Sequence, residues 1–212
     1  MDPKIDFYQI YYRDEQLSEL YDFAIPYKNK TLTPYFENSV ICDLVPKSTA
    51  DKICVASWRL REKRKNNFRV KEEINLIGDY DIAVLTPRSP SHKPLLMARQ
   101  WHGDAWGIAL DELRKFIKVP QEIKHTIYEN HFVASKDIYQ LYVNSCLLPC
   151  IDFMSSNSVF LLDAGYAKNK SAEEVRRYRE ITGRNDWPIG VFILERLFSI
   201  WINKKNFKVV NR

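Results

Sequence analysis

Apolar residues are packed most densely in Asn185–Lys205, NDWPIGVFILERLFSIWINKK. Asp186 can cap a helix and Pro188 suits a first helical turn, so the pattern predicts a helix that starts here. Ile189, Val191, Phe192, Ile193, Leu194, Leu197, Phe198, Ile200 and Trp201 leave it apolar on nearly every side. Such a helix belongs inside a protein with other layers packed around it. It is too short and too charged to span a bilayer. Glu195 and Arg196 sit in its middle, and the neighbours of Glu195 one turn away are Val191, Phe192, Phe198 and Ser199. A carboxylate buried there needs a partner, a ligand or a raised pKa. A structural ion pair with an arginine from elsewhere and a role in a site both meet that need. Adjacent helical residues diverge by about 100°, so Arg196 is not expected to fold back onto Glu195.

The rest of the chain alternates short β-type runs with helical patterns. Ile5–Tyr12 reads as a first strand, Asp14–Phe23 as a helix with Leu17, Leu20 and Tyr21 inward, and Phe23–Tyr27 as a short strand. Thr33 and Pro34 suit a cap and first residue for a helix with Phe36, Val40, Ile41 and Leu44 in one stripe. Lys52–Trp58 is a buried strand, and Asp81–Leu85 another. Thr86–Gln100, with three prolines, reads as a loop, and Ala105–Lys118 as a helix. Ser135 caps a helix with Ile138, Leu141, Tyr142, Cys146 and Leu148 inward, kinked or ended by Pro149. Val159–Leu162 has strand character, Ser171–Glu174 is a capping box opening the helix Ala172–Thr182, Gly183 stops it, and Phe207–Val210 suits an edge strand. This rhythm predicts an α/β fold in one domain spanning residues 1–212, with a mixed, mostly parallel sheet flanked by helices.

Composition adds exclusions. The start, MDPKIDFYQIYY, lacks a secretory pattern and no run reaches transmembrane length, so the expected location is the cytoplasm. The four cysteines lack zinc spacing, and Cys146 and Cys150, one helical turn apart, read as core thiols. The net charge of +5 is mild, but Arg59–Lys71 concentrates seven basic residues against one Glu. That run is either a solvated loop or an anion-binding loop at the end of a buried strand, where arginine forks suit diphosphate oxygens. Nucleic acid is a weaker candidate partner, because Phe68 alone is interleaved as a stacking aromatic.

Other chemistry-bearing residues are scattered. Asp79 and Asp81 have the carboxylate-x-carboxylate spacing that can hold Mg²⁺ or Mn²⁺ against a diphosphate, yet they open a strand rather than follow one. His102 and Asp104 flank Gly103, where Asp104 can serve as a helix cap and His102 as a site residue. Asn130 and His131 stand at a strand edge beside a helix N-terminus, a suitable polar floor for a sugar.

Three blocks between Thr31 and Lys208 carry a resemblance. The first is F-x-x-E-R-L-x-x-x-W-I, from Phe192 to Ile202. The second is an aromatic-rich helix leading into a strand that ends at Ser57, Trp58, Arg59 and Arg61, where the pattern more often has His-Tyr-Arg-Arg. In the third, Asn130, Phe132 and Val133 lead into Lys136, Asp137, Ile138, Tyr139 and Tyr142, with His131 at a usual Met position. Together they resemble the small glycosyltransferase-like family encoded with bacterial capsular and exopolysaccharide genes.

The resemblance implies a Rossmann-like, GT-A-like nucleotide-diphospho-sugar transferase core that works in the cytoplasm or at the inner membrane face. The donor would be a nucleotide-sugar and the acceptor a saccharide or lipid-linked saccharide. Donor diphosphate would lie near Arg59 and Arg61. Trp58, His102, Asn130, His131 and Arg196 are further candidate substrate contacts, of which His131 is not inherited from the family pattern and is read from its own position. Glu195 or Asp104 would deprotonate the acceptor hydroxyl. Arginines would neutralise the leaving diphosphate, with Mn²⁺ or Mg²⁺ at Asp79 and Asp81 as the alternative. A catalytically degenerate relative that binds a sugar, a nucleotide or a protein is the main rival reading.

Overall fold

The computed structural model describes residues 3–30, 35–63, 70–75, 80–85, 94–127 and 130–211. In chain order the elements are β1 (Ile5–Tyr11), β2 (Ile25–Lys28), α1 (Glu37–Lys47), β3 (Lys52–Ser57), α2 (Leu60–Lys63), α3 (Val70–Asn75), β4 (Ile82–Val84) and α4 (Pro94–Phe116). There follow β5 (Phe132–Ser135), α5 (Lys136–Tyr142), α6 (Leu148–Ser155), α7 (Ala172–Thr182), α8 (Ile189–Ile202) and β6 (Val209–Asn211). The six strands form one sheet in the order β2-β1-β3-β5-β4-β6. β5 runs antiparallel to both its neighbours, while every other pairing is parallel. The expected α/β architecture with a mixed sheet flanked by helices is therefore present.

Strand alternation sorts side chains onto two faces. Ile53, Val55, Ile82, Val84, Phe132 and Ala134 join the larger core with α1, α4, α5, α6 and α8. Cys54, Ala56, Ala83 and Val133 face a smaller core closed by Phe7, Tyr21, Leu60, Val70 and Ile74. α8 runs through the larger core, and Glu195 is its one residue that is not buried. Phe198 stacks on Phe132 of β5 at 3.8 Å between ring centres, and the Ser199 hydroxyl donates to the Ile127 carbonyl at 3.0 Å. Those contacts hold α8 against the sheet. All four cysteines are free, with Cys146 and Cys150 in the core.

Several elements depart from the sequence expectation for identifiable reasons. Asp14–Glu19 is a short 3-10 turn that leaves Leu17 exposed. Thr33 and Pro34 lie outside the described residues, and α1 starts at Glu37. The predicted loop before Gln100 already contains the first turns of α4, which Pro94 can open because a first-turn proline needs no N–H partner. Gly103, at φ 58° and ψ −140°, breaks α4 between His102 and Asp104. Pro149 does not end its helix: a π-turn at Val143–Leu147 joins α5 to α6 and puts the proline in the first turn of α6. Leu141 and Leu148, expected inward, are exposed, and Val143 and Leu147 are buried. Ser158–Leu161 is a 3-10 turn, not a strand. Pro188 is the N-cap of α8, while Asp186 Oδ1 accepts from the Trp187 and Ala167 amides at 2.7 and 3.1 Å. Among the described residues, no helix is long and apolar enough to cross a membrane.

Candidate functional site

The chain leaves β1 for β2 on one side and later returns to add β3 on the other, so the sheet's direction of growth reverses between β1 and β3. In open α/β sheets, ligands bind at the carboxyl ends of the strands flanking such a reversal. A cavity of about 660 Å³ lies there. Tyr12, Arg13 and Gln16 line it from β1, Ser57, Trp58 and Arg59 from β3, and Asn130 from the start of β5. The opposite wall carries Tyr166, Lys170, Tyr178, Trp187, Phe192 and Glu195.

The strand ends are locked by local hydrogen bonds. Gln16 Oε1 accepts from the Tyr12 and Arg13 amides at 2.7 and 3.1 Å, which turns the chain directly after β1. The Trp58 amide donates to the Ile10 carbonyl at 2.8 Å and ties the end of β3 to β1. The Arg59 guanidinium forks onto the Glu62 carboxylate at 3.0 and 3.1 Å and lies 5.9 Å from the Trp58 ring centre.

At the most enclosed part of the cavity, Ser57 and Asn130 are 8% and 2% exposed. The Ser57 amide donates to His131 Nε2 at 3.4 Å, so that nitrogen is an acceptor, and the Ser57 hydroxyl lies 3.2 Å from it. Asn38 Nδ2 donates to the Tyr35 carbonyl at 3.4 Å, which turns Asn38 Oδ1 toward Asn130 Nδ2 at 3.2 Å. The Asn130 amide is thereby oriented, and its buried Oδ1 finds no donor among the described residues. Among the described residues, Phe36 (φ 47°) and Asn130 (φ 57°) are the non-glycine residues with positive φ, and both line this cavity. Asn tolerates that region, whereas a bulky Phe pays for it, and such strain concentrates at ligand sites.

Aromatic rings build the far wall. Trp187 stacks on Tyr178 at 3.6 Å and meets Tyr166 edge-on at 5.1 Å. Burial pushes the Tyr178 phenol up to about 12. Burial, with the nearby Glu37 carboxylate adding to it, also raises the Tyr12 phenol well above its usual value, so both rings stay neutral at physiological pH. Behind them the His102 ring packs on Phe192 at 4.1 Å, and its Nδ1 lies 3.1 Å from the Ala164 carbonyl. Burial lowers the His102 pKa, which keeps the ring neutral.

The structure divides the sequence candidates into three sets. Trp58, Arg59, Asn130 and Glu195 are brought together in the cavity. His102, His131 and Arg196 are buried behind its wall, where they position Phe192, Ser57 and Glu195. Arg61, Asp104 and Asp81 stand elsewhere. Arg61 points its Nη1 at the Ser18 carbonyl, 3.5 Å away, because residues two apart on α2 face different directions. Asp104 is exposed on α4. Asp81 Oδ2 accepts from the Lys208 amide at 2.8 Å, at the amino end of β4 and so at the opposite end of the strands from the cavity. Asp79 lies outside the described residues. Among the described residues there is no group of three or more His, Cys, Asp or Glu that could hold a metal ion.

Two expectations about α8 are corrected. Glu195 is not enclosed by apolar neighbours: its side chain is 26% exposed and lines the cavity. Arg196 does reach it, with Nη1 3.5 Å from Glu195 Oε2, because the long side chain is drawn back along the helix to the Phe192 carbonyl at 2.7 Å. The guanidinium then rests 5.1 Å from the Trp106 ring centre.

Sequence reasoning missed Tyr12 and Arg13, although they follow β1 just as Trp58 and Arg59 follow β3. Applying the strand-end rule to every parallel strand would have found them. Tyr166, Tyr178 and Trp187 had no such signal, since they are assembled from a 3-10 turn, α7 and the segment before α8. No family model matches the chain, and no curated protein or solved structure is significantly similar to it.

Proposed function

We propose that this protein is a glycosyltransferase that uses a nucleotide-diphosphate sugar as donor and a saccharide or lipid-linked saccharide as acceptor. The observation that supports this reading most is the position of the cavity, at the carboxyl ends of β1 and β3 where the sheet reverses, combined with its lining. Flat aromatic faces at Trp58, Trp187 and Phe192 suit the apolar faces of sugar and base rings, while carboxylates and amides suit hydroxyls. The GT-A-like identity of the core belongs to the same proposal and draws on the mostly parallel sheet.

In this mechanism Glu195 accepts the proton of the acceptor hydroxyl as its oxygen attacks the anomeric carbon of the donor. The bond from that carbon to the diphosphate oxygen breaks, and the nucleoside diphosphate leaves with the electron pair. Arg59 lies at the cavity rim, 40% exposed, and exchanges Glu62 for the departing phosphate oxygens. That exchange is cheap, since exposed ion pairs contribute only ~0.2–1 kcal/mol. Arg196 fixes the orientation of the Glu195 carboxylate from behind.

One observation favours a binding module without turnover. Arg13, Arg59 and Lys170, which line the cavity, each hold a carboxylate of the chain itself, from Glu180, Glu62 and Glu174. The two readings separate experimentally. UDP-, GDP- and dTDP-sugars, with and without Mn²⁺, are screened by thermal shift, where a ligand at ~100 times its dissociation constant adds roughly 2.7 kcal/mol. Release of nucleoside diphosphate from the stabilising donor is then followed in wild type and in Glu195→Gln. Turnover lost in the variant with binding retained supports the transferase, binding without turnover in wild type supports the module, and no stabilisation by any donor overturns both.

A further inference from the structure

We propose that the enclosed floor of the cavity is the sugar-ring subsite, in which Asn130 Oδ1 and Ser57 Oγ accept hydroxyl hydrogens of the ligand and the diphosphate stays at the rim. This rests on reading the cavity as a nucleotide-sugar site and adds which part of the ligand goes where. Both floor oxygens are acceptors for independent reasons. The bond from the Ser57 amide makes His131 Nε2 an acceptor without a hydrogen, so it cannot donate to Ser57 Oγ across their 3.2 Å contact, and the Oγ lone pairs remain. Asn130 spends its Nδ2 on Asn38 Oδ1, whose own orientation is set by the Tyr35 carbonyl, and this leaves Oδ1 as the group turned away from the network.

On a residue only 2% exposed, an oriented, buried amide oxygen without a donor is a standing demand for an O–H or N–H. The bridging diphosphate of a nucleotide-sugar, esterified at both ends, offers oxygens and no such hydrogen at neutral pH, so it meets repulsion at the floor. A sugar ring offers several hydroxyls. At the rim the pattern inverts, because Trp58 and the Arg59 guanidinium supply a flat face and donors. The floor therefore selects for a hydroxyl-bearing ring and discriminates against ligands that lack the hydroxyl in question.

The test compares each nucleotide-sugar with its own free nucleotide: UDP-glucose against UDP, GDP-mannose against GDP and dTDP-glucose against dTDP, by calorimetry. The variants are Asn130→Gly, which keeps the backbone at φ 57° accessible while removing the acceptor, and Ser57→Ala, which leaves that backbone untouched. The expected result is a nucleotide-sugar affinity roughly tenfold weaker in each variant, with the affinity for the free nucleotide unchanged. Unchanged nucleotide-sugar binding in both variants would assign the oxygens to internal water and overturn the proposal. Equal loss for nucleotide and nucleotide-sugar would place the nucleotide at the floor and overturn it as well. Wild-type protein that binds none of the probes removes the nucleotide-sugar reading itself, and this inference falls with it.

Discussion

Arg196 lies with its Nη1 3.5 Å from Glu195 Oε2, although the two residues are adjacent on α8. Their environments differ sharply, with side-chain exposures of 3% for the arginine and 26% for the glutamate. The guanidinium is anchored elsewhere as well, on the Phe192 carbonyl and over Trp106. The carboxylate can thus be altered without stranding its partner. We expect Glu195→Gln to lower stability by about 1 kcal/mol or less, in the range of partly exposed pairs. Denaturant unfolding checks this, and a loss of several kcal/mol would show the pair to be a structural core element.

The reverse substitution should be far costlier. Arg196→Ala removes the bond to the Phe192 carbonyl and the packing on Trp106, and it opens space in the core. A loss of ~3 kcal/mol or more is expected. Arg196→Met keeps the volume of the stem without a charge and should recover much of that loss. Equal destabilisation by Ala and Met would mean that the guanidinium contacts, not its bulk, carry the contribution.

His102 predicts a pH dependence of stability. Burial is the main influence lowering its pKa from 6.5, the Ala164 carbonyl opposes it, and Arg196 lowers it further while Asp186 raises it. The folded protein then binds protons less readily than the unfolded chain at this site. Stability from neutral His102 is fully present above the unfolded value and is lost as pH falls from there through the depressed folded value. Melting temperatures from about pH 8 down to about pH 5 should fall more steeply in wild type than in His102→Gln. Parallel curves would remove His102 as the source.

Gly190 inverts the usual helix rule. A Cβ there would sit 2.8 Å from Met154 Cε and 3.0 Å from the Phe160 carbonyl oxygen. Gly190→Ala should therefore destabilise by ~1–3 kcal/mol, instead of giving the gain of about 1 kcal/mol that Ala brings to an open helix. Combining it with Met154→Ala should not restore the loss, since the backbone oxygen remains and a second cavity is added. A more stable Gly190→Ala protein would show that α8 can shift away from the 3-10 turn at Ser158–Leu161.

Arg59 and Arg61 should separate in function. Under the proposed reading, Arg59→Ala weakens binding of the stabilising nucleotide-sugar by roughly tenfold, the worth of a charged hydrogen bond. Arg61→Ala leaves it unchanged, since Arg61 faces the Ser18 carbonyl. Equal losses would indicate that α2 rearranges when ligand binds.

Legibility in the sequence followed the locality of each signal. α8, β3, the Ser135 cap and the Ser171–Glu174 capping box could be read because periodicity and capping are written in adjacent residues. The break at Gly103 falls where the sequence predicts a helix start at Ala105 with Asp104 as cap, whereas the π-turn at Val143–Leu147 could not be read, because no local capping or periodicity signal marks it. At the site, Trp58 and Arg59 were visible from their place after a buried strand, and Asn130 from its place before one. The reach of Arg196 was misjudged because direction at Cβ says little about a side chain long enough to be pulled back a full turn. Asp81 was visible as half of a carboxylate pair, and its carboxylate accepts from the Lys208 amide just before β6.

The placement of β5 between β3 and β4 has a consequence for synthesis of the chain. β1, β2 and β3 can pair as soon as they leave the ribosome, yet the outer edge of β3 stays uncovered until Phe132–Ser135 emerges. β4, made earlier than β5, has neither of its neighbours until β5 and then β6 arrive. A nascent chain halted between β4 and β5 leaves the outer edge of β3 and both edges of β4 uncovered, and exposed edges template aggregation. Truncations ending before residue 132 are accordingly the ones that should need a chaperone, while in the complete sheet β5 covers the facing edges of β3 and β4, and β6 covers the other edge of β4.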